Sequence, residues 1–153
     1  MGRHRILVVD DCSRIRGIVS DVLRAKNFDV AAADAAQAAW DMLSDYQPDL
    51  VLTDVNMPGR NGMWLARMIK RHHADMPVFI MTGNGGADTL MEAFKVGMDG
   101  YVQKPIDWDS LIVNIRATID GSDASSGAMR LCAPTRRDRR HALGRVHGGI
   151  GLS

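Results

Sequence analysis

The chain has 153 residues, which is enough to bury one hydrophobic core and leaves little for a second domain. Hydrophobic residues make up 46% of it and charged residues 24%, as in an ordinary globular protein, which argues against a membrane-embedded or fibrous chain. The net charge of +1 is unevenly spread. Residues 1–120 carry 13 lysines and arginines against 16 acidic residues, whereas residues 121–153 carry 6 arginines against 2 aspartates.

The cysteines and the N-terminus predict a reducing, cytoplasmic location. Cys12 and Cys132 lie far apart and have no metal-ligand spacing, so we expect two free thiols. Near the N-terminus, only Ile6 to Val9 form an apolar run before two aspartates. This run is too short for a signal-peptide core or a membrane span. We therefore expect no membrane partner.

Five β-prone apolar runs alternate with five amphipathic runs along the chain. The predicted strands cover residues 6–9, 28–33, 50–54, 77–81 and 100–103. Helical periodicity predicts helices over residues 14–23, 35–43, 62–69, 88–96 and from a cap at Asp107 to about residue 119. Such alternation predicts an α/β fold, a doubly wound parallel sheet with helices on both faces.

Residues 121–153 differ in character from the rest of the chain. Residues 121–127 are rich in glycine and serine, which predicts a flexible linker, and an arginine-rich segment without a sustained hydrophobic period follows. We predict one domain over residues 1–120 and a basic, disordered tail over residues 121–153, too short for a DNA-binding helical domain. The abrupt change in composition also suggests a shifted reading frame in GC-rich DNA, which reading the gene would test.

Polar side chains stand where four of the predicted strands end. In chain order these residues are Asp10 and Asp11, Asp54, Thr82, and Lys104. The carboxyl ends of parallel strands meet at one edge of the sheet, where open α/β proteins bind their ligands. Three carboxylates crowded there repel one another unless a cation intervenes, and oxygen ligands suit Mg²⁺. The sequence therefore predicts a cation site at this edge, with ligands that suit Mg²⁺.

This set of residues closely resembles the receiver domain of bacterial two-component response regulators, over residues 5 to about 119. The resemblance includes Met57-Pro58-Gly59 after Asp54 and the stretch from Gly97 to Tyr101 before Lys104. It implies a flavodoxin-like fold with five parallel strands in the order 2-1-3-4-5, similar to a single-domain chemotaxis regulator. It also implies a phosphorylation switch that catalyses only its own phosphorylation and dephosphorylation.

The resemblance assigns a phosphoacceptor and a metal site. Asp54 would attack the phosphohistidine of a sensor histidine kinase or a histidine phosphotransfer protein and become an aspartyl phosphate. Asp10, Asp11 and Asp54 would hold Mg²⁺ together with the backbone carbonyl of Asn56, Asp10 acting through water. Asn56 and Asn84 would flank the phosphoryl group, and because both are neutral amides we expect an aspartyl phosphate of intermediate lifetime.

The resemblance also assigns residues that read the phosphoryl group. Lys104 would pair with its oxygens, aimed inward by a cis peptide bond to Pro105, and the Thr82 hydroxyl would donate to another oxygen. Thr82 would move toward the phosphoryl group, and Tyr101 would then rotate into the vacated space. The surface formed by the fourth helix, fifth strand and fifth helix would be the output face.

Each of these residues also has a simpler explanation. The aspartate pair could cap a helix, Asp54 could be a turn residue, Thr82 could be an ordinary strand end and Lys104 a solvated charge. Their convergence favours a functional site, because such a site is judged by groups that meet. A metal-dependent phosphatase ranks last, since the position two after Asp54 is Asn56 rather than a second aspartate.

Two functions of different class remain open at this stage. The first is a stand-alone receiver that regulates an unidentified output protein by contact, with a homodimer formed on phosphorylation as a further expectation. The alternative is the receiver part of a DNA-binding transcriptional regulator whose output domain is missing or truncated. We do not expect nucleic acid to bind through this chain, because a short basic tail is more often a solvated end.

Overall fold

The computed structural model describes residues 2–83, 86–121 and 129–132. Strands and helices alternate through the described residues, as the sequence predicts. In chain order they are β1 (Arg5–Val9), α1 (Ser13–Ala25), β2 (Asp29–Ala33), α2 (Ala36–Tyr46), β3 (Leu50–Asp54), α3 (Gly62–His72), β4 (Val78–Thr82), α4 (Ala87–Val96), β5 (Gly100–Gln103), α5 (Trp108–Asp120) and β6 (Arg130–Cys132).

All the strands lie in one parallel sheet with the order β2-β1-β3-β4-β5-β6. The predicted α/β class and the order 2-1-3-4-5 are therefore confirmed. Every residue of β3 and β4 is buried, which agrees with their continuous apolar sequences because parallel strands are covered on both faces. The parallel arrangement brings the carboxyl ends of these strands to one edge of the sheet.

The sheet separates two hydrophobic cores. Neighbouring residues of a strand face opposite sides, so Val51 belongs to one core and Leu52 to the other. Helices α2, α3 and α4 cover the core that contains Val51, whereas α1 and α5 cover the core that contains Leu52. The strand ends are therefore held by packing on both faces, which keeps the residues that follow them in place.

Side-chain hydrogen bonds cap the starts of two helices, and a glycine ends a third. The Asn61 side chain accepts a hydrogen bond from the Trp64 backbone N–H at the start of α3. Asp107 accepts one from the Ser110 N–H at the start of α5, which confirms the predicted cap. Gly97 ends α4 in the left-handed conformation that glycine favours. None of the helices in the described ranges is long and apolar enough to cross a membrane.

The sixth strand corrects the sequence analysis, which placed Arg130–Cys132 in a disordered tail. These residues pair in parallel with β5, Tyr101 opposite Leu131 and Val102 opposite Cys132. Three residues that include an arginine carry no periodic signal of their own. They form a strand because β5 would otherwise leave unpaired N–H and C=O groups at the edge of the sheet. Apart from Gly121 and Met129, the rest of the predicted tail lies outside the described residues.

An added methyl group should have opposite effects on stability at two of the glycines. A Cβ on Gly100 would lie 2.5 Å from the ring of the fully buried Phe79, whereas a Cβ on Gly17 in α1 would meet nothing within 4 Å. We expect Gly100→Ala to lower the free energy of unfolding by about 1–3 kcal/mol through overpacking. We expect Gly17→Ala to raise it by up to about 1 kcal/mol through helix propensity.

Urea unfolding of the two variants beside the unmodified chain is the measurement. Because both changes add the same methyl group, each serves as the control for the other. Shifts of the same sign would contradict the packing described here.

Candidate functional site

The residues predicted for the site meet at the carboxyl edge of the sheet. Asp10 and Asp11 directly follow β1, and Asp54 is the last residue of β3. Carboxylate oxygens of these three residues all lie within 4.8 Å of one another. Within the described ranges, no other group of three or more acidic, histidine or cysteine side chains is close enough together to hold a metal ion.

The Lys104 ammonium lies between two of these carboxylates. Its Nζ is 3.3 Å from Asp10 Oδ2 and 3.6 Å from Asp54 Oδ1. The peptide bond from Lys104 to Pro105 is cis, and the Lys104 backbone N–H donates to the Thr82 carbonyl at 2.9 Å. The strand-end lysine thus partly offsets the negative charge of residues that are distant in sequence.

The carboxyl group of Asp54 carries a perturbed pKa. Burial raises the pKa above its ordinary value, the Lys104 ammonium lowers it, and the neighbouring charge of Asp10 raises it again. A hydrogen bond from the Asn56 backbone lowers the pKa and the Asp11 charge raises it. The net shift of the pKa is upward, so the surroundings compensate the charge of an ionised Asp54 only in part.

Asp10 is held by contacts on both of its oxygens. The residue is fully buried, its Oδ1 accepts from the Cys12 backbone N–H at 3.0 Å, and its Oδ2 faces Lys104. The Asp10 carbonyl accepts from Arg16 Nη1 at 2.8 Å. Asp10 therefore ties the turn before α1 to the site, which goes beyond a simple helix cap.

Gly62 supports the site, and sequence reasoning missed its role. A Cβ on Gly62 would lie 2.1 Å from the backbone oxygen of Asp54, and the Gly62 N–H donates to the Val55 carbonyl at 3.1 Å. Only glycine lets α3 begin this close to the end of β3. The available signal was a glycine at the first position of a helix, after the Asn61 cap, where most other residues would favour the helix more.

The remaining predicted residues occupy different surroundings. Thr82 is buried at the end of β4, and Tyr101 is buried in β5, where burial raises the pKa of its hydroxyl. Asn56 is exposed after β3, beside the carboxylates. Asn84 lies outside the described residues. The structure thus brings Thr82 to the same sheet edge as Asp54 and leaves Tyr101 in the neighbouring strand.

A family model for the response regulator receiver domain matches residues 6–116, which is most of the chain. The chain belongs to the response regulator receiver family. The function of this family is that of a phosphorylation-dependent signalling switch in two-component systems, with phosphorylation on aspartate and magnesium binding as family features. This receiver is therefore a switch rather than a metabolic enzyme.

Several relatives are named as regulators of transcription. The receiver is 33% identical over 116 residues to the phosphate regulon transcriptional regulatory protein PhoB of Pseudomonas aeruginosa, covering 74% of this chain and 51% of PhoB. It is 30% identical over 154 residues to the transcriptional regulatory protein FixJ of Bradyrhizobium diazoefficiens, covering 95% of this chain and 75% of FixJ. The chain spans about half of PhoB, and about a quarter of other regulators that it matches.

A solved receiver domain from Clostridium thermocellum has the same architecture. It superposes with a TM-score of 0.74 at 30% identity, and the match covers 79% of this chain and 98% of that domain. The match therefore takes in almost the whole of a separate receiver domain, which agrees with the fold described above.

The pKa of Asp54 predicts how its replacement changes stability. A carboxyl pKa that is raised on folding lowers the free energy of unfolding as pH rises through it, because the folded chain must then carry a poorly compensated charge. We expect Asp54→Asn to raise the free energy of unfolding at pH 7 in a metal-chelating buffer. The gain should be smaller at about pH 5, where more of the native carboxyl group is protonated.

Urea titrations at the two pH values give this comparison. Asp75→Asn, which changes an exposed carboxylate of the same chain, is the control and should have little effect at either pH. A destabilised Asp54→Asn at pH 7 would show that attraction to Lys104 outweighs burial and repulsion.

Proposed function

We propose that this receiver accepts a phosphoryl group on Asp54 from the phosphohistidine of a sensor histidine kinase or a histidine phosphotransfer protein. The observation that carries the proposal is the position of the Lys104 Nζ, within 3.6 Å of carboxylate oxygens of both Asp10 and Asp54. That arrangement joins a nucleophile, an acidic cluster and a cation in one place. We place the reaction in the cytoplasm, where free thiols such as Cys12 and Cys132 persist.

The donor set at the sheet edge fits Mg²⁺. Asp10, Asp11 and Asp54 offer oxygen atoms within 4.8 Å of one another, and Asn56 adds its backbone carbonyl in the proposal. Oxygen-only ligands, part of them on an exposed side chain that leaves room for water, are what Mg²⁺ prefers. Bound Mg²⁺ would neutralise charge on the carboxylates and on the phosphoryl oxygens.

Each side chain of the site has its own role in the proposed phosphoryl transfer. An Asp54 carboxylate oxygen attacks the phosphorus, an O–P bond forms, and the P–N bond breaks with its electron pair remaining on the imidazole. Lys104 would move from its carboxylate partners to the transferred phosphoryl oxygens, and the Thr82 hydroxyl would donate to another. Catalysis here consists mainly of alignment and charge neutralisation, which requires little movement of the sheet.

The proposed output face comprises α4, β5 and α5. Its helices expose apolar side chains: Met91 and Phe94 of α4 are 55% and 65% exposed, and Val113 of α5 is 65% exposed. We propose that Tyr101 changes rotamer when Thr82 engages the phosphoryl group, which alters this face for a partner protein or a second copy of the chain. Apolar side chains next to a packed strand are suitable for such contacts.

The decisive test is intact mass after incubation with acetyl phosphate. With Mg²⁺ present we expect a single phosphoryl adduct on the native chain, and none on Asp54→Asn or after chelation of the metal. The adduct should decay once acetyl phosphate is removed, and one stable for many hours would contradict hydrolysis at intermediate rate beside Asn56. An adduct that persists in Asp54→Asn would show that another residue accepts the phosphoryl group.

A second candidate is that this receiver serves a DNA-binding transcriptional regulator. Its support is that PhoB and FixJ are transcriptional regulatory proteins and that the FixJ match reaches 95% of this chain, beyond the receiver family model. In that case phosphorylation would control an output domain rather than a separate protein. DNA binding by this chain alone would still depend on its basic segment, residues 136–145.

A gel-shift titration of duplex DNA tests whether this chain binds DNA through its basic segment. If the basic segment is only a solvated end, we expect no shift at physiological salt, and any shift at about 50 mM salt should disappear by about 200 mM. The phosphorylated and Asp54→Asn chains should then behave alike, since neither changes that segment. A shift that survives the higher salt and depends on phosphorylation would favour the transcriptional regulator.

A further inference from the structure

The sixth strand covers the edge of β5, the central strand of the proposed output face. Arg130–Cys132 pair with Gly100 to Val102, and the Arg130 backbone N–H donates to the Asp99 carbonyl at 2.9 Å. A partner or second copy that approached this edge would meet β6 rather than β5. The polar groups of the β5 edge are thus already used within the chain.

Cys132 attaches the strand to the core beneath α5. Its side chain is 2% exposed and belongs to the same hydrophobic core as Val102 and Ile115. The Asn114 Nδ2 group of α5 donates to Cys132 Sγ at 3.2 Å. Burial raises the pKa of the Cys132 thiol, and the hydrogen bond from Asn114 opposes that shift in part. This end of β6 is held by a side chain as well as by the backbone.

The opposite face of the strand lies on the side of the proposed switch. Leu131 stands opposite Tyr101 in the parallel register, so both side chains point to the same face of the sheet. Met129 packs against the core that contains Tyr101, while Leu131 is 62% exposed. A rotation of the Tyr101 ring would therefore change the core against which Met129 packs, on the face that also carries Leu131.

We propose that residues 129–132 form an intramolecular cap on β5, which occupies the output face in the resting chain and is released when Tyr101 rotates. The coupling to Tyr101 rests on the proposed function, whereas the existence of the cap does not. A three-residue strand at a sheet edge opens more readily than a central strand, because few contacts hold it. The cap would compete with any partner for the β5 edge.

A matched pair of substitutions at Arg130 tests the cap. Arg130→Pro and Arg130→Ala both remove the guanidinium, but only Arg130→Pro also removes the backbone N–H that donates to Asp99. Both are made in the full chain with Cys12→Ser, which leaves Cys132 as the sole thiol. The readout is the rate at which N-ethylmaleimide labels Cys132, followed by intact mass at constant pH.

We expect the resting chain and Arg130→Ala to be labelled slowly, at least about tenfold below Arg130→Pro, because reaction requires the strand to open. Arg130→Pro should be labelled near the rate of a small free thiol. Equal and rapid labelling of all three chains would overturn the cap.

The coupling is tested on the same Cys12→Ser chain with acetyl phosphate and Mg²⁺. We expect phosphorylation to raise the labelling rate several-fold toward that of Arg130→Pro, with no such rise in Asp54→Asn, because only the phosphorylated chain gains from the rotated Tyr101. The phosphoryl adduct is measured by mass in the same samples.

The mass measurement separates the two proposals. An adduct without faster labelling would overturn the coupling and leave the phosphoacceptor function standing. If no adduct forms on the native chain, the coupling falls together with phosphorylation by acetyl phosphate, while slow labelling of Arg130→Ala and fast labelling of Arg130→Pro would still establish the cap.

Discussion

The crowding of three carboxylates at one edge of the sheet is the constraint on which the site depends. Burial and the charges of Asp10 and Asp11 raise the pKa of Asp54, and Lys104 together with an Asn56 backbone hydrogen bond lowers it. The ammonium relieves part of the repulsion, and the donor set fits a divalent cation that would relieve more. The same unrelieved negative charge favours a cation at this edge, and in the proposed function that cation would offset the negative charge of an incoming phosphoryl group.

The surrounding architecture holds these charges close together in spite of their repulsion. The fully buried β3 presents Asp54, and α3 packs so tightly on its end that Gly62 has no room for a Cβ. Hydrogen bonds from Cys12 and Arg16 hold Asp10 at the end of β1. Because these supports are backbone contacts or part-buried hydrogen bonds, the site is arranged in advance, and the proposed phosphorylation would require few large movements.

The far side of β5 links this chemistry to the molecular surface. Tyr101 is buried between the site and the sixth strand, and Leu131 stands opposite it in the register. In the proposed switch, a change at Thr82 in β4 would reach β6 through the Tyr101 side chain of the intervening strand β5. Two alternative packings of one buried side chain are a general physical means by which a local charge change alters a binding surface.

The sequence by itself determined the alternating strands and helices, the parallel sheet and the residues that gather at its edge. These follow from periodicity and turn chemistry, which act over a few residues, and from the resemblance of the strand-end motifs to receivers. Only the tertiary structure decided the role of Gly62, the place of Lys104 between Asp10 and Asp54, and the pairing of Arg130–Cys132. Each of these depends on how segments approach one another in three dimensions, which no local sequence pattern records.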